Sequence, residues 1–413
     1  MLHNAAVVIS RLEQEQAHHT KMEALTKYFP SMKAYSYGFS AVNPLLEWGI
    51  SDIDNAELRE ELYNWFADNG AYYGLDNTIS LFKRGITAGV MATQPIYAGG
   101  RIVNGNALAA VGKKAASIKS EITVRDLLQS VQENYWLVVS LREKRNTVTE
   151  AIGLLDAIEH DLNLAIEAGL ATRSDILKVK VRRGEMASNL VKLDHGITLA
   201  TMNLCRESGV PYSAELCPLD TVPHLLESPD AYWTDPEEAT MRRPEAELLD
   251  LSIKAEDLKR KMTIGEALPQ IAVGGSISYA NIIDKNTANA LAFASVNIPI
   301  LDWWGASHSI RKQSLEIEKA RVRRDDLLTQ MRLQCSQSWD QLLQQWDLVD
   351  VASLTVTDAE SNMDNVRQNF SAGLATTTEL LEAQTLLVSA RESLTSARID
   401  YILALQRYIS LCR

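Results

Sequence analysis

The chain has 413 residues, with 53 acidic against 41 basic side chains, a formal net charge of −12 and an isoelectric point near 5.2. That balance, with no basic stripe carrying interleaved aromatics, excludes an electrostatic nucleic-acid binder. No apolar run is long enough for a transmembrane helix, which leaves β-strands open, because their sequence signal is far weaker.

The opening residues Met1-Leu2-His3-Asn4 show no basic segment followed by an apolar one, so no signal peptide is expected within this chain. Residues 4–27 read as a helix. Residues 30–40 switch to period two, with Lys33, Tyr35, Tyr37 and Phe39 alternating with Ala34, Ser36 and Gly38. Residues 85–97 form a second strand, in which Ile86, Ala88, Val90 and Ala92 alternate with Thr87, Gly89, Met91 and Thr93. Pro95 suits the strand's end because it cannot donate to a ladder. Between the two strands, 44–82 reads as a helical insertion. Asp54 and Glu57 mark its start, and Leu58, Leu62, Trp65 and Phe66 follow at helical spacing.

Residues 103–168 contain no proline and predict a single helix of roughly 100 Å. Ile118, Ile122, Leu128, Val131, Tyr135, Val138 and Leu141, then Ile152, Leu155, Ile158 and Leu162, form an apolar stripe that needs partner helices. A turn at 169–172 leads to a returning helix, 173–206. The connector 207–244 holds six of the eleven prolines and is expected to carry only short elements. A helix at 245–267 follows. Strands are expected at 270–280 and 289–300, separated by a turn with Asn281, Asp284, Asn286 and Asn289. The long helix 305–370 carries Leu327, Met331, Cys335, Leu342, Trp346 and Val349 on its stripe. The turn 371–376 and a last helix, 377–413, complete the chain.

The two halves say the same thing. Gly169-Leu170-Ala171-Thr172 recurs as Gly373-Leu374-Ala375-Thr376, and Pro95-Ile96 recurs as Pro299-Ile300, both 204 positions on. The expected organisation is two internal repeats, 1–206 and 245–413, around the connector. They differ in the first strand pair, where Pro30 to Pro95 is 65 positions against 30 for Pro269 to Pro299. At each turn the glycine fits a helix C′ position. Thr172 and Thr376 fit N-caps, with Asp175 and Glu379 three residues on. Such residues serve a tight αα-hairpin, or a docking surface at the end of a long arm; the residues alone leave both open.

No catalytic constellation, metal-ligand spacing or phosphate loop is present, so neither enzyme activity nor a cofactor is expected. The four cysteines read as isolated thiols; Cys205 and Cys217 could pair, which spacing does not decide. The strands are long enough for tilted membrane strands. Tyr28, Phe29, Trp48, Tyr97, Trp303 and Trp304 flank them as interfacial aromatics would. Four strands cannot close a barrel alone, and open edges are not tolerated in lipid, so two or three copies would be needed. The competing reading is a non-membrane coiled-coil scaffold.

Several motifs occur in a telling order: Tyr28-Phe29-Pro30, Gln94-Pro95-Ile96-Tyr97-Ala98-Gly99-Gly100, Arg243-Pro244-Glu245, Ile298-Pro299-Ile300 and the two Gly-Leu-Ala-Thr turns. In this order and spacing the chain resembles the TolC-like outer-membrane efflux protein family over nearly its whole length. The resemblance implies a mixed α and membrane-β fold. A homotrimer would form a twelve-stranded outer-membrane β-barrel continued by a long periplasmic α-helical barrel. It implies a passive exit duct for small-molecule efflux or type I secretion, docked to a periplasmic adaptor and, through it, to an inner-membrane transporter. Adaptor contacts would map to Gly169, Leu170, Thr172, Asp175, Gly373, Leu374 and Thr376. The periplasmic aperture would map to Glu379 and Glu382. Tyr28, Phe29, Tyr97, Trp303 and Trp304 would meet outer-membrane lipid, and the insertion would lie outside the cell, partly over the barrel mouth.

Overall fold

The computed structural model describes residues 4–42, 46–73, 78–81, 84–167, 171–223, 225–281, 286–300 and 302–412. In chain order the elements are α1 (Ala5–Thr26), β1 (Ser31–Ser40), β2 (Leu46–Gly49), α2 (Ala56–Tyr73), β3 (Thr78–Leu81), β4 (Arg84–Ala98), α3 (Arg101–Glu167) and α4 (Arg173–Ser208). The connector holds a 3-10 turn at Pro229–Tyr232 and α5 (Pro236–Arg242). Then come α6 (Pro244–Glu266), β5 (Gln270–Asn281), β6 (Asn286–Asn297), α7 (Gly305–Ser371) and α8 (Thr377–Cys412). Helices α3 and α7 have 67 residues each, and α4 and α8 have 36 each. No described helix is long and apolar enough to cross a membrane.

Two compact units form, and each draws on both halves of the sequence. The first comprises residues 1–18, 111–254 and 317–413; the second comprises 19–110 and 255–316.

The second unit is built on a four-stranded antiparallel sheet in the order β1-β4-β5-β6. Residues opposite each other in a ladder share a face, so the register sorts the side chains. One face carries Met32 and Ala34 of β1, and Ile86, Ala88, Val90 and Ala92 of β4. It continues through Ile271, Val273 and Ile277 of β5 to Ala288, Ala290, Ala292, Ala294 and Val296 of β6. Nothing among the described residues covers it: Met32 is 72% exposed and Ile277 69%. The other face carries Lys33, Tyr35, Tyr37, Phe39, Thr87, Thr93, Ser276, Ser278, Thr287 and Asn289. Here three rings lie on glycines of the next strand: Tyr35 on Gly89, Phe39 on Gly85 and Phe293 on Gly274. A Cβ at Gly89 would stand 2.9 Å from the Tyr35 hydroxyl, so these positions accept no side chain without displacement of the ring.

The strands depart from expectation in three places. β4 runs past Pro95 to Ala98: Pro95 keeps its place opposite Ala272, and the register shift between Pro95 and Tyr97 leaves Ile96 as the extra, unpaired residue. β6 covers Asn286–Asn297 rather than 289–300, so Asn286 and Asn289 are strand residues and not turn residues. The Asn286 side-chain oxygen accepts from the Tyr279 hydroxyl and the Asn281 amide, both at 2.9 Å, which fastens the hairpin end; Asp284 lies outside the described residues. The insertion is not helix alone: β2 and β3 pair as a small hairpin around α2. The cap of α2 is Asn55, whose side chain accepts from the backbone N–H groups of Glu57 and Leu58, and not Asp54.

In the first unit, Val148, Ala151, Leu155, Ile158 and Leu162 of α3 recur at alternating three- and four-residue steps. They pack with Val179 and Met186 of α4, Met363 of α7, and Leu380, Ala383 and Val388 of α8. A second cluster joins Cys335 and Leu342 of α7 to Tyr401, Ala404, Tyr408 and Cys412 of α8 and Ala239 of α5. This is heptad packing, in which each knob fills a hole on the facing helices. Truncating a fully buried knob such as Leu155 or Leu342 to Ala would cost about 2–5 kcal/mol. The stripe of α7 is set by Leu328, which is buried, rather than by Leu327, which is exposed. The cysteines are not all isolated: Cys335 and Cys412 form a disulfide across this core, with Cα atoms 6.0 Å apart. Helical phase on two different helices brings them together, a relation that spacing along one chain does not display. Cys205 and Cys217 are unpaired.

The connector is fastened to α8. The Tyr401 hydroxyl donates to the Glu227 carbonyl, and the Thr234 N–H donates to the Tyr408 hydroxyl at 3.0 Å. Seven residues separate the two tyrosines, so both lie on one helix face.

Candidate functional site

The end of α7 is a fully formed Schellman motif. Gly373 has φ of 74°, its N–H donates to the Phe370 carbonyl at 3.0 Å, and the Leu374 N–H donates to the Asn369 carbonyl at 2.8 Å. Space does not require glycine here, since nothing lies within 4 Å of an added Cβ; the left-handed backbone does. Leu374 follows it and is 80% exposed. The equivalent Gly169 and Leu170 lie outside the described residues.

Each returning helix then starts on a threonine. Thr376 and Glu379 form a reciprocal capping box. The Thr376 N–H donates to Glu379 Oε2 at 2.7 Å, and the Glu379 N–H donates to Thr376 Oγ1 at 3.2 Å. At α4 the Thr172 N–H and hydroxyl donate to Asp175 Oδ2 at 3.2 and 2.6 Å. Hydrogen bonding from the Thr376 N–H and then its hydroxyl lowers the Glu379 pKa; the Thr172 hydroxyl does the same for Asp175. Both stay ionised across the neutral range. Lys178 of α4 donates to Thr378 of α8 at 3.2 Å, so these two helix starts stand side by side.

On α8, Glu379, Glu382 and Leu386 share the exposed face, while Leu380, Ala383 and Val388 enter the core. Beside it Ser174, Leu177, Lys178, Val181, Arg182 and Glu185 of α4, with Leu381 of α8, line an open groove of about 420 Å³. Leu177 and Val181 had no place in the sequence reading. The available signal was two apolar residues four apart, out of phase with Val179 and Met186.

Five sequence-picked aromatics also come together. Tyr28 and Phe29 precede β1, Tyr97 is near the end of β4, and Trp303 and Trp304 follow β6. In this antiparallel order those are all one end of the sheet. All five side chains are exposed, Trp303 by 75% and Trp304 by 73%.

Residues 248–411 match the family model for outer membrane efflux proteins. The chain is 23% identical over 324 residues to the outer membrane efflux protein BepC of Brucella suis, covering 77% of this chain and 70% of that protein. It is 22% identical over 248 residues to the alkaline protease secretion protein AprF of Pseudomonas aeruginosa, covering 58% of this chain and 52% of that one. Its fold is similar to that of the outer membrane protein VceC of Vibrio cholerae, with a TM-score of 0.76 at 14% identity over 99% of this chain and 93% of the other. A four-stranded sheet with one bare apolar face, paired long helices with threonine-capped returning helices, the family model and the relatives all agree. The chain is thus similar to outer membrane efflux proteins, by the family model over residues 248–411 and by fold over nearly its whole length.

Proposed function

We propose that three copies of this chain form a passive exit duct. The sheets would close into a twelve-stranded β-barrel in the outer membrane, and the helices would line a tunnel through the periplasm. The observation that carries this reading is the sheet itself. One face carries aliphatic side chains on all four strands and is bare among the described residues, and the edges β1 and β6 have no further partner strand among them. An open edge is not tolerated in hydrocarbon, so each β1 would pair with the β6 of a neighbour. The apolar face would meet lipid, and the aromatic end of the sheet would sit at the headgroups.

The two sequence repeats, 1–206 and 245–413, would each contribute one strand pair and one helix hairpin, with 207–244 bracing the helices. The tips Gly169–Thr172 and Gly373–Thr376, with Asp175, would dock a periplasmic adaptor, aided by the groove at Leu177 and Val181. Glu379 and Glu382 would ring the aperture and favour cations. Relatives named for efflux and for protease secretion make either cargo class compatible with the reading. The Cys335–Cys412 disulfide suits an oxidising compartment such as the periplasm.

Expression behind an export signal, outer-membrane fractionation and planar-bilayer recording test the proposal. The expected result is a heat-modifiable trimer with discrete conductance steps. A water-soluble dimer with no conductance would instead establish the coiled-coil scaffold.

A further inference from the structure

The face of the sheet opposite the lipid-facing one is not uniformly polar. Lys33, Tyr35, Tyr37 and Phe39 stand on it in one line along β1. Alternate residues of a strand are spaced so that the line is about 20 Å long. Apart from Arg84 at the opposite end of the sheet, Lys33 is the only charged residue in the four strands. It lies near the end where the five aromatics collect. Beyond it, Tyr35 and Phe39 lie against Gly89 and Gly85 of β4, and so present ring surface away from the strand. Tyr37 packs beside Tyr35, with ring centroids 5.6 Å apart, and is 66% exposed. The same face holds Phe293 on Gly274. Rings set on glycines form a smooth wall, and a single cation stands at its foot.

We infer that this line is a transit subsite for small aromatic anions. It rests on the duct reading, which turns this face to the lumen. The Lys33 ammonium attracts an anionic group entering from the periplasmic side, and the tyrosine and phenylalanine rings stack the planar body. Three copies set three lysines around the lumen. An aliphatic anion would use the lysine but not the rings, and a neutral aromatic the rings but not the lysine.

Trimers of the full chain in planar bilayers at low salt, titrated with three blockers, test this. They are 2-naphthalenesulfonate, 2-naphthol and hexanesulfonate. Naphthalenesulfonate is expected to block at the lowest concentration. Lys33→Gln should raise its half-blocking concentration about fivefold, the loss of one close charge contact, and leave 2-naphthol unchanged. Tyr37→Ala should weaken both aromatic blockers about threefold, the loss of a stacking partner. Tyr37 covers no glycine, so its removal opens no gap, and Lys33→Arg and Tyr37→Phe should restore block in a folded channel. Equal block by hexanesulfonate and naphthalenesulfonate, or wild-type block in both Lys33→Gln and Tyr37→Ala, overturns the subsite while leaving the duct standing. Absence of any conductance from the wild type overturns the duct, and the subsite with it.

Discussion

Gly99 and Gly100 follow β4 with φ of 61° and 76°. Trp303 and Trp304, 204 positions on, follow β6 with φ of 52° and 68°. One half of the chain makes this turn with residues that adopt left-handed backbone freely. The other makes it with two of the bulkiest side chains, at about 1–2 kcal/mol each. Gly99 has a second constraint, since its backbone packs directly on Gly265 and admits no Cβ. The tryptophan turn is held by Asp302, which accepts from the N–H groups of Gly305 and Ala306. Strain kept in place this way marks positions where the side chain is wanted, in accord with a lipid-interface role. Two predictions belong at this scale. Glu382→Ala should raise single-channel conductance and weaken divalent-cation block without a loss of stability, because Glu382 lies on the exposed face. Glu379→Gln should do the same while keeping an acceptor for Thr376; unchanged conductance in both variants would remove the aperture assignment. The second prediction concerns Glu245. Burial opposes its ionisation, but hydrogen bonds from Arg125, at 2.5 Å, and Arg243, at 3.1 Å, outweigh it and hold its pKa at about 2 against an ordinary 4.5. A depressed carboxyl stabilises the fold above its unfolded pKa, and that contribution fades as pH falls from 4.5 toward 2. Glu245→Gln should therefore cost about 1–2 kcal/mol at neutral pH, discounted for partial exposure. Thermal melts should show the gap to wild type closing between pH 4.5 and 2.

At the scale of elements, the sheet faces make the sharpest prediction. Ala292 and Ser276 lie on opposite faces of adjoining strands. On the proposed duct, Ala292→Arg would place a charge against lipid and should destabilise the assembly by about 2–4 kcal/mol, whereas Ser276→Arg should be tolerated and alter conductance. Urea titration in lipid vesicles distinguishes them; equal costs would undo the assignment of faces. Long helices, strands and the turn at Gly373 were legible in the chain because each has a local signature: sustained helical period, strict alternation, or glycine and threonine at fixed offsets. What escaped depended on relations between elements. The Cys335–Cys412 bond follows from the rotation of α7 against α8. The β2–β3 pair has four residues per strand, too few for a period. Asn55 displaced Asp54 as cap by a shift of one residue, which composition does not resolve. The tip groove needs α4 and α8 side by side, so only Leu177 and Val181 hinted at it.

For the whole molecule, each compact unit draws on both halves of the sequence. β4 of the first half pairs with β5 of the second, and helices of both halves share one core. Helices of either half alone would leave these apolar faces uncovered. The same logic extends past the chain end, because β1 and β6 remain open. If each pore is completed only by neighbours, damage is shared among subunits. A chain altered only at the tip, such as Leu374→Asp, would still assemble and would enter pores with intact chains. Co-expressed with wild type, it should depress transport by more than its share of the protein. A fall merely in proportion to its abundance would mean that chains act independently. On the proposed three-chain duct, two open strands carry a genetic signature: lesions at the helix tips should be dominant, while lesions that prevent strand pairing should be recessive.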